Sequence, residues 1–191
     1  QVMRMMCERI ANASVNAQGQ LYHDSEVLTS ESIRSLAAIE FMKRGFSMSH
    51  GAIVASAPEV ADCHHSGTGP LLTEQPIIVD LYPRDETTLY NGDCTRTVVN
   101  GQVPETVAAM HNAILLSKVA AEKLLVAGNR ASDVNQASED VLKQHGYKLS
   151  RGKITDEPSI QHGLGHGIGL DVHEPILLDH GGGELLEGEV F

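Results

Sequence analysis

Side chains that could perform acid–base or metal chemistry concentrate in three places, and each place follows or ends an apolar run. The first is a loop with adjacent His64 and His65. The second is a pair of aspartates, Asp80 and Asp93, at either end of a hairpin-like stretch. The third is a glycine-rich segment whose three histidines fall within twelve positions, at His162, His166 and His173. Imidazoles and carboxylates act as general acids, general bases and metal ligands, so these places are candidates for a catalytic or metal site.

The two aspartates allow two interpretations. Asp80 directly follows Ile77-Ile78-Val79, a run that predicts a buried strand, where an ionised carboxylate is costly unless a cation or several donors compensate it. If Asp80 and Asp93 lie opposite each other on adjacent antiparallel strands, they are about 5 Å apart and can share metal ions. The residues favour equally that Asp80 ends its strand and that Asp93 is an ordinary turn residue.

The glycine-rich segment could be a helix or a strand. The spacing of His162 and His166 puts both on one helix face, as in zinc peptidase helices. Four glycines between positions 163 and 169 disfavour a helix, since each costs about 1 kcal/mol there relative to alanine. Alternation predicts a strand over residues 162–170, with the histidines on one face and glycines on the other, where another segment approaches closely. The glycine spacing does not match a dinucleotide-binding fingerprint.

Helices and short strands alternate around these residues. Apolar side chains at helical spacing predict four helices, at residues 2–17, 29–45, 105–127 and 132–146. Thr29 or Ser30 caps the second and Ser132 the fourth. Runs rich in β-branched residues predict three strands, at residues 52–55, 77–81 and 94–99. The order helix, helix, strands occurs twice, which indicates a single α+β domain over residues 1–191 with two similar halves, residues 1–101 and 102–191.

Composition excludes several classes of function. The chain has 191 residues and carries 14 Lys and Arg against 25 Asp and Glu, a net charge of −11. This acidity argues against a nucleic-acid partner, and no apolar run approaches the roughly 20 residues that span a bilayer. Three scattered cysteines predict no disulfide framework, so we expect a soluble, cytoplasmic protein. Cys63 beside His64 is a poor thiol nucleophile, because sequence neighbours point apart and no third group orients them.

Together these residues resemble the pita-bread metallopeptidases, a family of methionine aminopeptidases, proline aminopeptidases and prolidases. The resemblance is carried by Asp80, the stretch from Tyr90 to Thr97, residues 162–169 and His173-Glu174-Pro175. It extends along the chain to Phe191 and implies a curved antiparallel sheet with helices on its outer face, built from two pseudo-symmetric halves. The first residue, Gln1, and the end at Phe191 within strand-like residues predict an incomplete domain that lacks its C-terminal part.

The resemblance implies a role for each candidate residue. Asp80, Asp93 and His166 match three of five ligands for two divalent ions, with manganese expected and cobalt, zinc or iron(II) as alternatives. The other two ligands are glutamates expected after Phe191. His64 matches a histidine that contacts the reacting peptide and shuttles protons, and His173 one that contacts the scissile amide. In the family, a hydroxide that bridges the two ions attacks the peptide.

His162 bears on the substrate, because methionine aminopeptidases usually lack a histidine there whereas the proline-specific members have one. The resemblance therefore implies a peptidase that removes an N-terminal residue preceding proline or splits Xaa-Pro dipeptides, either alone or as a homodimer. A methionine aminopeptidase is the alternative enzyme. A metal-free creatinase-like hydrolase is disfavoured, because it gives Asp80, Asp93 and His166 no purpose. A pita-bread module that binds peptides or proteins without catalysis is the alternative from another class.

Overall fold

Helices form where apolar side chains recur every three to four residues, and short strands lie between them. The structure, a computed structural model, describes residues 1–151, 153, 155 and 157–191. The helices are α1 (Val2–Ala11), α2 (Ser30–Met42), α3 (Glu105–Glu122) and α4 (Ala131–Gln144). The strands are β1 (Ser14–Val15), β2 (Leu21–His23), β3 (Glu26–Val27), β4 (Phe46–Ser47), β5 (Ala52–Ala55), β6 (Ile77–Leu81), β7 (Arg84–Asp85), β8 (Cys94–Val98), β9 (Lys148–Leu149), β10 (Ser159–Ile160), β11 (Gly165–Gly167) and β12 (Glu174–Leu178).

The elements fall into two compact units, residues 1–104 and 105–191. The first contains α1, α2 and the strands β1 to β8, and the second contains α3, α4 and the strands β9 to β12. The single domain with halves at residues 1–101 and 102–191 stays a prediction. None of the helices in the described residues is both long and apolar enough to cross a membrane.

The first unit is built on a three-stranded antiparallel sheet in the order β5, β6, β8. Alternate residues of β6 (Ile77, Val79 and Leu81) are buried and join Met6 and Ile10 of α1 in one hydrophobic core. The two other sheets of this unit are small, β1-β2-β3 and β4-β7. The predicted bounds of β5 and β6 are confirmed, and the predicted β8 is one residue too long.

Three helices end earlier than predicted, and the cause differs from one to the next. Helix α1 ends at Ala11 rather than at residue 17, because residues 14–15 pair with β2 as a strand. Helix α2 ends at Met42, ahead of Gly45, whose φ of +81° lies outside the helical region. Helix α3 ends at Glu122 rather than at residue 127, because residues 124–126 turn back on short-range backbone hydrogen bonds.

Helix α4 begins at Ala131, one residue ahead of the predicted cap Ser132. Its N-cap residue is Arg130, whose side chain makes no capping hydrogen bond. The backbone N–H of Ala131 instead donates to the carbonyl of Gly183 at 2.8 Å. A carbonyl from elsewhere in the unit therefore takes the place of a cap side chain, which local sequence does not reveal.

Helix α2 begins with the predicted cap, Thr29. The hydroxyl of Thr29 accepts from Ser32 N at 3.1 Å, and Ser32 Oγ accepts from Thr29 N at 2.9 Å. Replacing Thr29 with alanine removes an acceptor for one of the unpaired first-turn amides, so we expect a loss of about 1 kcal/mol in the free energy of unfolding. Urea denaturation of the full-length protein measures this loss. Thr29→Ser keeps the acceptor, so destabilisation by both variants equally would contradict the capping role.

Asn100 was predicted only as part of a turn, but its buried side chain forms hydrogen bonds that link distant parts of the first unit. Its side-chain N–H groups lie 3.0 Å from the carbonyls of Ile10, Ala11 and Ala13 at the end of α1. Its side-chain oxygen accepts from Thr73 Oγ1, also at 3.0 Å. The last carbonyls of α1 have no partner within the helix. The side-chain amide of Asn100, which lies near the end of the unit in sequence, therefore caps them.

The second unit pairs α3 with α4 and contains a short antiparallel pair, β11 and β12. Its core consists of Ala121, Ala131, Val134, Leu178 and Leu185. The hydroxyls of Ser117 and Ser138 are 2.6 Å apart, a buried hydrogen bond between the two helices. Strands β9 and β10 form a separate parallel pair.

Candidate metal centre

Asp80 lies on β6, on the face opposite to the core. Its neighbours Val79 and Leu81 are buried, whereas Asp80 is half-buried and lies opposite Thr95 of β8. The hydroxyl of Thr95 donates to Asp80 Oδ1 at 2.6 Å. The prediction that this carboxylate lies within a buried run is therefore wrong, because the alternation of the strand turns it out of the core.

Asp93 is exposed and directly precedes β8. Because Asp80 pairs with Thr95, Asp93 is not its direct partner, and the predicted opposition at about 5 Å is wrong. Residues two apart share a face, so Asp93 is the diagonal neighbour of Asp80, an arrangement with a typical separation of about 7–8 Å. Burial raises the pKa of Tyr82, the charges of Asp80 and Asp93 raise it further, and Arg34 opposes them. The two carboxylates therefore form one region of negative potential.

His64 lies in a tight loop with two other potential ligands, Asp62 and Cys63. The ligand atoms of these three residues all lie within 4.8 Å of one another. The backbone N–H of His64 donates to Asp62 Oδ1 at 2.9 Å, and its Nδ1 is 3.6 Å from Cys63 Sγ. The expectation that Cys63 and His64 point apart is wrong, because the chain turns here. Burial and then Asp62 raise the pKa of the Cys63 thiol, which disfavours a thiolate nucleophile at neutral pH.

The glycine-rich segment forms a strand only at β11, residues 165–167, so the prediction of a strand over residues 162–170 is too long. His166, in the middle of β11, contacts His173 with ring centroids 4.1 Å apart. The Nδ1 atom of His166 is 3.0 Å from the carbonyl of Gly167, and that of His162 is 2.8 Å from the carbonyl of Gly163. Carbonyls only accept, so these contacts favour a proton on each Nδ1, and in the neutral ring Nε2 then carries the lone pair that a metal or proton requires.

Glycines in this segment mark close backbone approaches, as predicted. A Cβ on Gly167 would lie 3.0 Å from the carbonyl oxygens of Glu174 and Pro175. A Cβ on Gly163 would lie 2.8 Å from Asp179 Cβ and 3.1 Å from the carbonyl oxygen of Leu178. At these glycines, the backbone of the glycine-rich segment therefore packs directly against β12 and Asp179, the residue that follows it.

A buried polar cluster on α4 was missed by the sequence analysis. The side chains of Asn135 and Glu139 are buried, and Glu139 Oε1 lies 2.7 Å from His180 Nε2 and accepts from Asn135 Nδ2 at 3.1 Å. Glu139 Oε2 accepts from Lys143 Nζ at 3.0 Å, and Arg151 Nη2 is 2.7 Å from His180 Nε2. A signal existed in the sequence, since residues 135, 139 and 143 recur every four positions and share one helix face.

The charge of Glu139 makes the second unit sensitive to acid. Burial raises the pKa of Glu139, but hydrogen bonds from Lys143, His180 and Asn135 outweigh burial and hold the pKa below its ordinary value. A lowered folded-state pKa adds stability above the ordinary value, and this stability is lost as the pH falls through the folded-state pKa. We expect Glu139→Gln to lower the melting temperature at about pH 7 and the difference to shrink towards about pH 3. A difference that is constant with pH would count against this ion cluster.

The structure brings some predicted site residues together within each unit. In the first unit, Asp80 lies on β6 and Asp93 directly precedes its partner strand β8, and in the second unit His166 contacts His173. His162 and His166 both line a cavity of about 560 Å³ in the second unit, together with Ile114, Leu142 and Ile160. Among the described residues, the only set of three potential ligand side chains whose ligand atoms all lie within 4.8 Å of one another is Asp62, Cys63 and His64.

Comparison with known proteins decides the family. The profile of metallopeptidase family M24 matches residues 1–191. The chain belongs to metallopeptidase family M24. A probable dipeptidase PepE from Mycobacterium bovis is 33% identical over 122 residues, covering 64% of this chain and 30% of that protein. An Xaa-Pro dipeptidase from Pyrococcus furiosus is 29% identical over 103 residues, covering 53% of this chain and 27% of that protein.

Solved structures confirm the fold of this M24 chain. The dipeptidase PepE from Mycobacterium ulcerans matches with a TM-score of 0.73 and 26% identity, covering 97% of this chain and 44% of that chain. The prolidase from Pyrococcus furiosus matches with a TM-score of 0.74 and 19% identity, covering 97% of this chain and 48% of that chain. The chain therefore has the α+β pita-bread fold. It spans less than a third of the length of these curated relatives and less than half of these solved chains.

Membership of a metallopeptidase family implies divalent metal, and each unit by itself carries side chains whose chemistry suits such an ion. In the first unit, Asp80 and Asp93 can supply carboxylate oxygens, and their charges add to the burial that raises the pKa of Tyr82. In the second unit, His166 can supply the Nε2 atom of its neutral imidazole, because its Nδ1 faces the carbonyl of Gly167. Oxygen ligands with one imidazole suit manganese, cobalt, zinc or iron(II) better than copper.

Proposed function

We propose that the protein containing this chain is a metal-dependent peptidase that cleaves the bond between an N-terminal residue and a following proline. The observation that carries the proposal is the Asp80 and Asp93 pair, whose combined charge favours divalent cations. Similarity to an Xaa-Pro dipeptidase and to a prolidase structure supports the substrate class. His162, which the resemblance links to proline specificity, supports it as well.

Each candidate residue has a defined task in this proposal. Asp80, Asp93 and His166 hold two divalent ions, of which manganese is the expected one. When bound, such ions activate water and polarise a scissile carbonyl as Lewis acids. His64 and His173 exchange protons with the reacting peptide at their ring nitrogens, since imidazoles titrate near neutral pH. His162 is the third catalytic residue in this proposal and is the one linked to the preference for proline.

The proposal extends to the surroundings of the protein. The three cysteines, Cys7, Cys63 and Cys94, are unbridged, which favours a reducing compartment such as the cytoplasm. Peptides with proline in the second position are the expected partners, and nucleic acids are not expected to bind because the net charge is −11. A homodimer stays a prediction.

An assay of the full-length protein tests the proposed function. The metal-free protein is loaded with Mn²⁺ or Co²⁺ and incubated with Xaa-Pro dipeptides, longer Xaa-Pro peptides and Met-Ala peptides. We expect cleavage of Xaa-Pro bonds that a chelator abolishes. Cleavage of Met-Ala peptides alone would move the protein to the methionine aminopeptidase class. Absence of cleavage, together with absence of metal in mass spectrometry, would support a non-catalytic binding module.

A further inference from the structure

We propose that Asn135 on α4 is a positioning residue that holds the glycine–histidine segment, residues 162–169, in the conformation that presents His162 and His166. This inference rests on the proposed function for its catalytic consequence. Its structural part stands on contacts within the second unit. Neither the resemblance nor the sequence pattern assigns a role to this asparagine.

Asn135 connects α4 directly to the backbone of the segment. Its side-chain oxygen accepts from Leu164 N at 3.1 Å, across 29 positions of sequence. The same N–H lies 2.9 Å from the carbonyl oxygen of Leu178, so it is shared between β12 and α4. Leu164 lies midway between His162 and His166, and its position therefore affects both histidines.

The orientation of the Asn135 amide is determined by its partners. Its oxygen must face the Leu164 N–H, and its nitrogen must face Glu139 Oε1 at 3.1 Å, because a carboxylate only accepts. Asn135 is only 2% exposed, so water does not replace either partner readily. Glu139 is held in turn by Lys143 and His180. These hydrogen bonds therefore fix the position of the glycine–histidine segment relative to α4.

The glycine–histidine segment needs such an anchor because glycine backbones have wide conformational freedom. Gly163 and Gly165 flank Leu164 and carry no side chains that could pack and fix the chain. The regular strand covers only residues 165–167, so His162 lies outside the ladder. The hydrogen bond between Leu164 and the buried Asn135 side chain adds to the backbone hydrogen bond that Leu164 makes with Leu178 of β12, and it restrains the segment just before the regular ladder begins.

The test compares Asn135→Ala with Ser138→Ala in the full-length protein. Ser138 is a matched control, because it is also buried on α4 but forms its hydrogen bond with Ser117 of α3. Hydrogen–deuterium exchange of the peptide covering residues 162–170 is measured in both variants. We expect faster exchange there in Asn135→Ala and unchanged exchange in Ser138→Ala, at comparable losses of melting temperature.

Metal affinity provides a second measurement. We expect Asn135→Ala to weaken Co²⁺ binding by about 10- to 100-fold, the usual effect of residues that orient metal ligands, while Ser138→Ala binds normally. On Xaa-Pro dipeptides, Asn135→Ala should lower kcat by a similar factor. Equal exchange and equal Co²⁺ affinity in the two alanine variants would overturn the positioning role and leave Asn135 as a packing residue.

If Asn135→Ala fails to fold, a pair of substitutions that exchanges the donor and the acceptor between positions 135 and 139 still tests the proposal. Asn135→Asp alone retains an acceptor for Leu164 but places two carboxylates together, so we expect fast exchange in residues 162–170. Adding Glu139→Gln reverses the hydrogen bond between positions 135 and 139, and we expect exchange and Co²⁺ affinity to recover. No recovery would contradict the proposal. Because exchange is measured without substrate, the positioning role is decided even if the wild-type protein cleaves no Xaa-Pro peptide.

Discussion

Asp93→Asn is expected to lower kcat/KM on an Xaa-Pro dipeptide by about 1,000-fold or more in the full-length protein. A carboxylate that holds divalent ions contributes several kcal/mol to transition-state stabilisation, and about 1.4 kcal/mol corresponds to tenfold in rate. The amide keeps the shape of the side chain but removes its charge. We also expect the metal content, measured by mass spectrometry, to fall below two ions per chain.

Asp85→Asn is the matched control for this variant. Asp85 lies on β7 in the same hairpin, and its Oδ1 accepts from the backbone of Thr87 at 2.7 Å and of Thr88 at 2.8 Å. An asparagine there retains that acceptor, so we expect near-normal activity and metal content. An Asp93→Ala variant that still bound two ions would show that our ligand assignment is wrong.

Gly67→Ala is expected to destabilise the protein by about 4 kcal/mol, a sum of backbone strain and a steric clash. Gly67 has a φ of +81°, and a Cβ there would lie 1.8 Å from the carbonyl oxygen of Val54 on β5. Real atoms do not approach so closely, so either the loop or the strand must move. Arg34 also donates to the Gly67 carbonyl at 2.8 Å, which ties this loop to α2.

Gly69→Ala separates the effect of backbone strain from that of the steric clash. Gly69 has a φ of +70°, but a Cβ there meets no atom within 4 Å. This variant should lose only about 1 kcal/mol from strain, as measured by urea denaturation. Because His64 lies three residues before Gly67 in the same loop, we expect Gly67→Ala to lower kcat as well. Equal stability losses in the two variants would contradict the steric argument.

The central strands could be predicted because their signals are local. Residues 52–55 and 77–81 are rich in β-branched side chains, and the structure places strands over these ranges. Some helix ends were harder, because they depend on partners that local sequence does not contain. Helix α4, for example, begins where the carbonyl of Gly183 accepts from Ala131. The register of Asp80 against Thr95 likewise depends on pairing across the hairpin, which composition cannot determine.

The candidate site, too, could be predicted only in part from the sequence. Residue types alone located Asp80, Asp93 and the three histidines of the glycine-rich segment. Their proposed roles came from the resemblance, because carboxylates near a strand end are equally typical of turns. The cluster around Asn135 and Glu139 was missed because its partners Leu164 and His180 lie 29 and 41 positions away in sequence. A repeat of polar residues every four positions is more often a solvated helix face than a buried network.

The hydrogen bonds between Asn100 and the end of α1 affect how the first unit folds during synthesis. Its side chain meets carbonyls 87 to 90 positions earlier in the chain, at the end of α1. A ribosome that adds roughly 5–20 residues per second needs several seconds to make the intervening chain. Over that interval α1, a ten-residue helix, has neither its cap nor β8 to pack against, and helices of that length are marginal alone in water. Helix α1 is therefore secured only after β8 has been made, although it precedes every other element of the first unit in sequence.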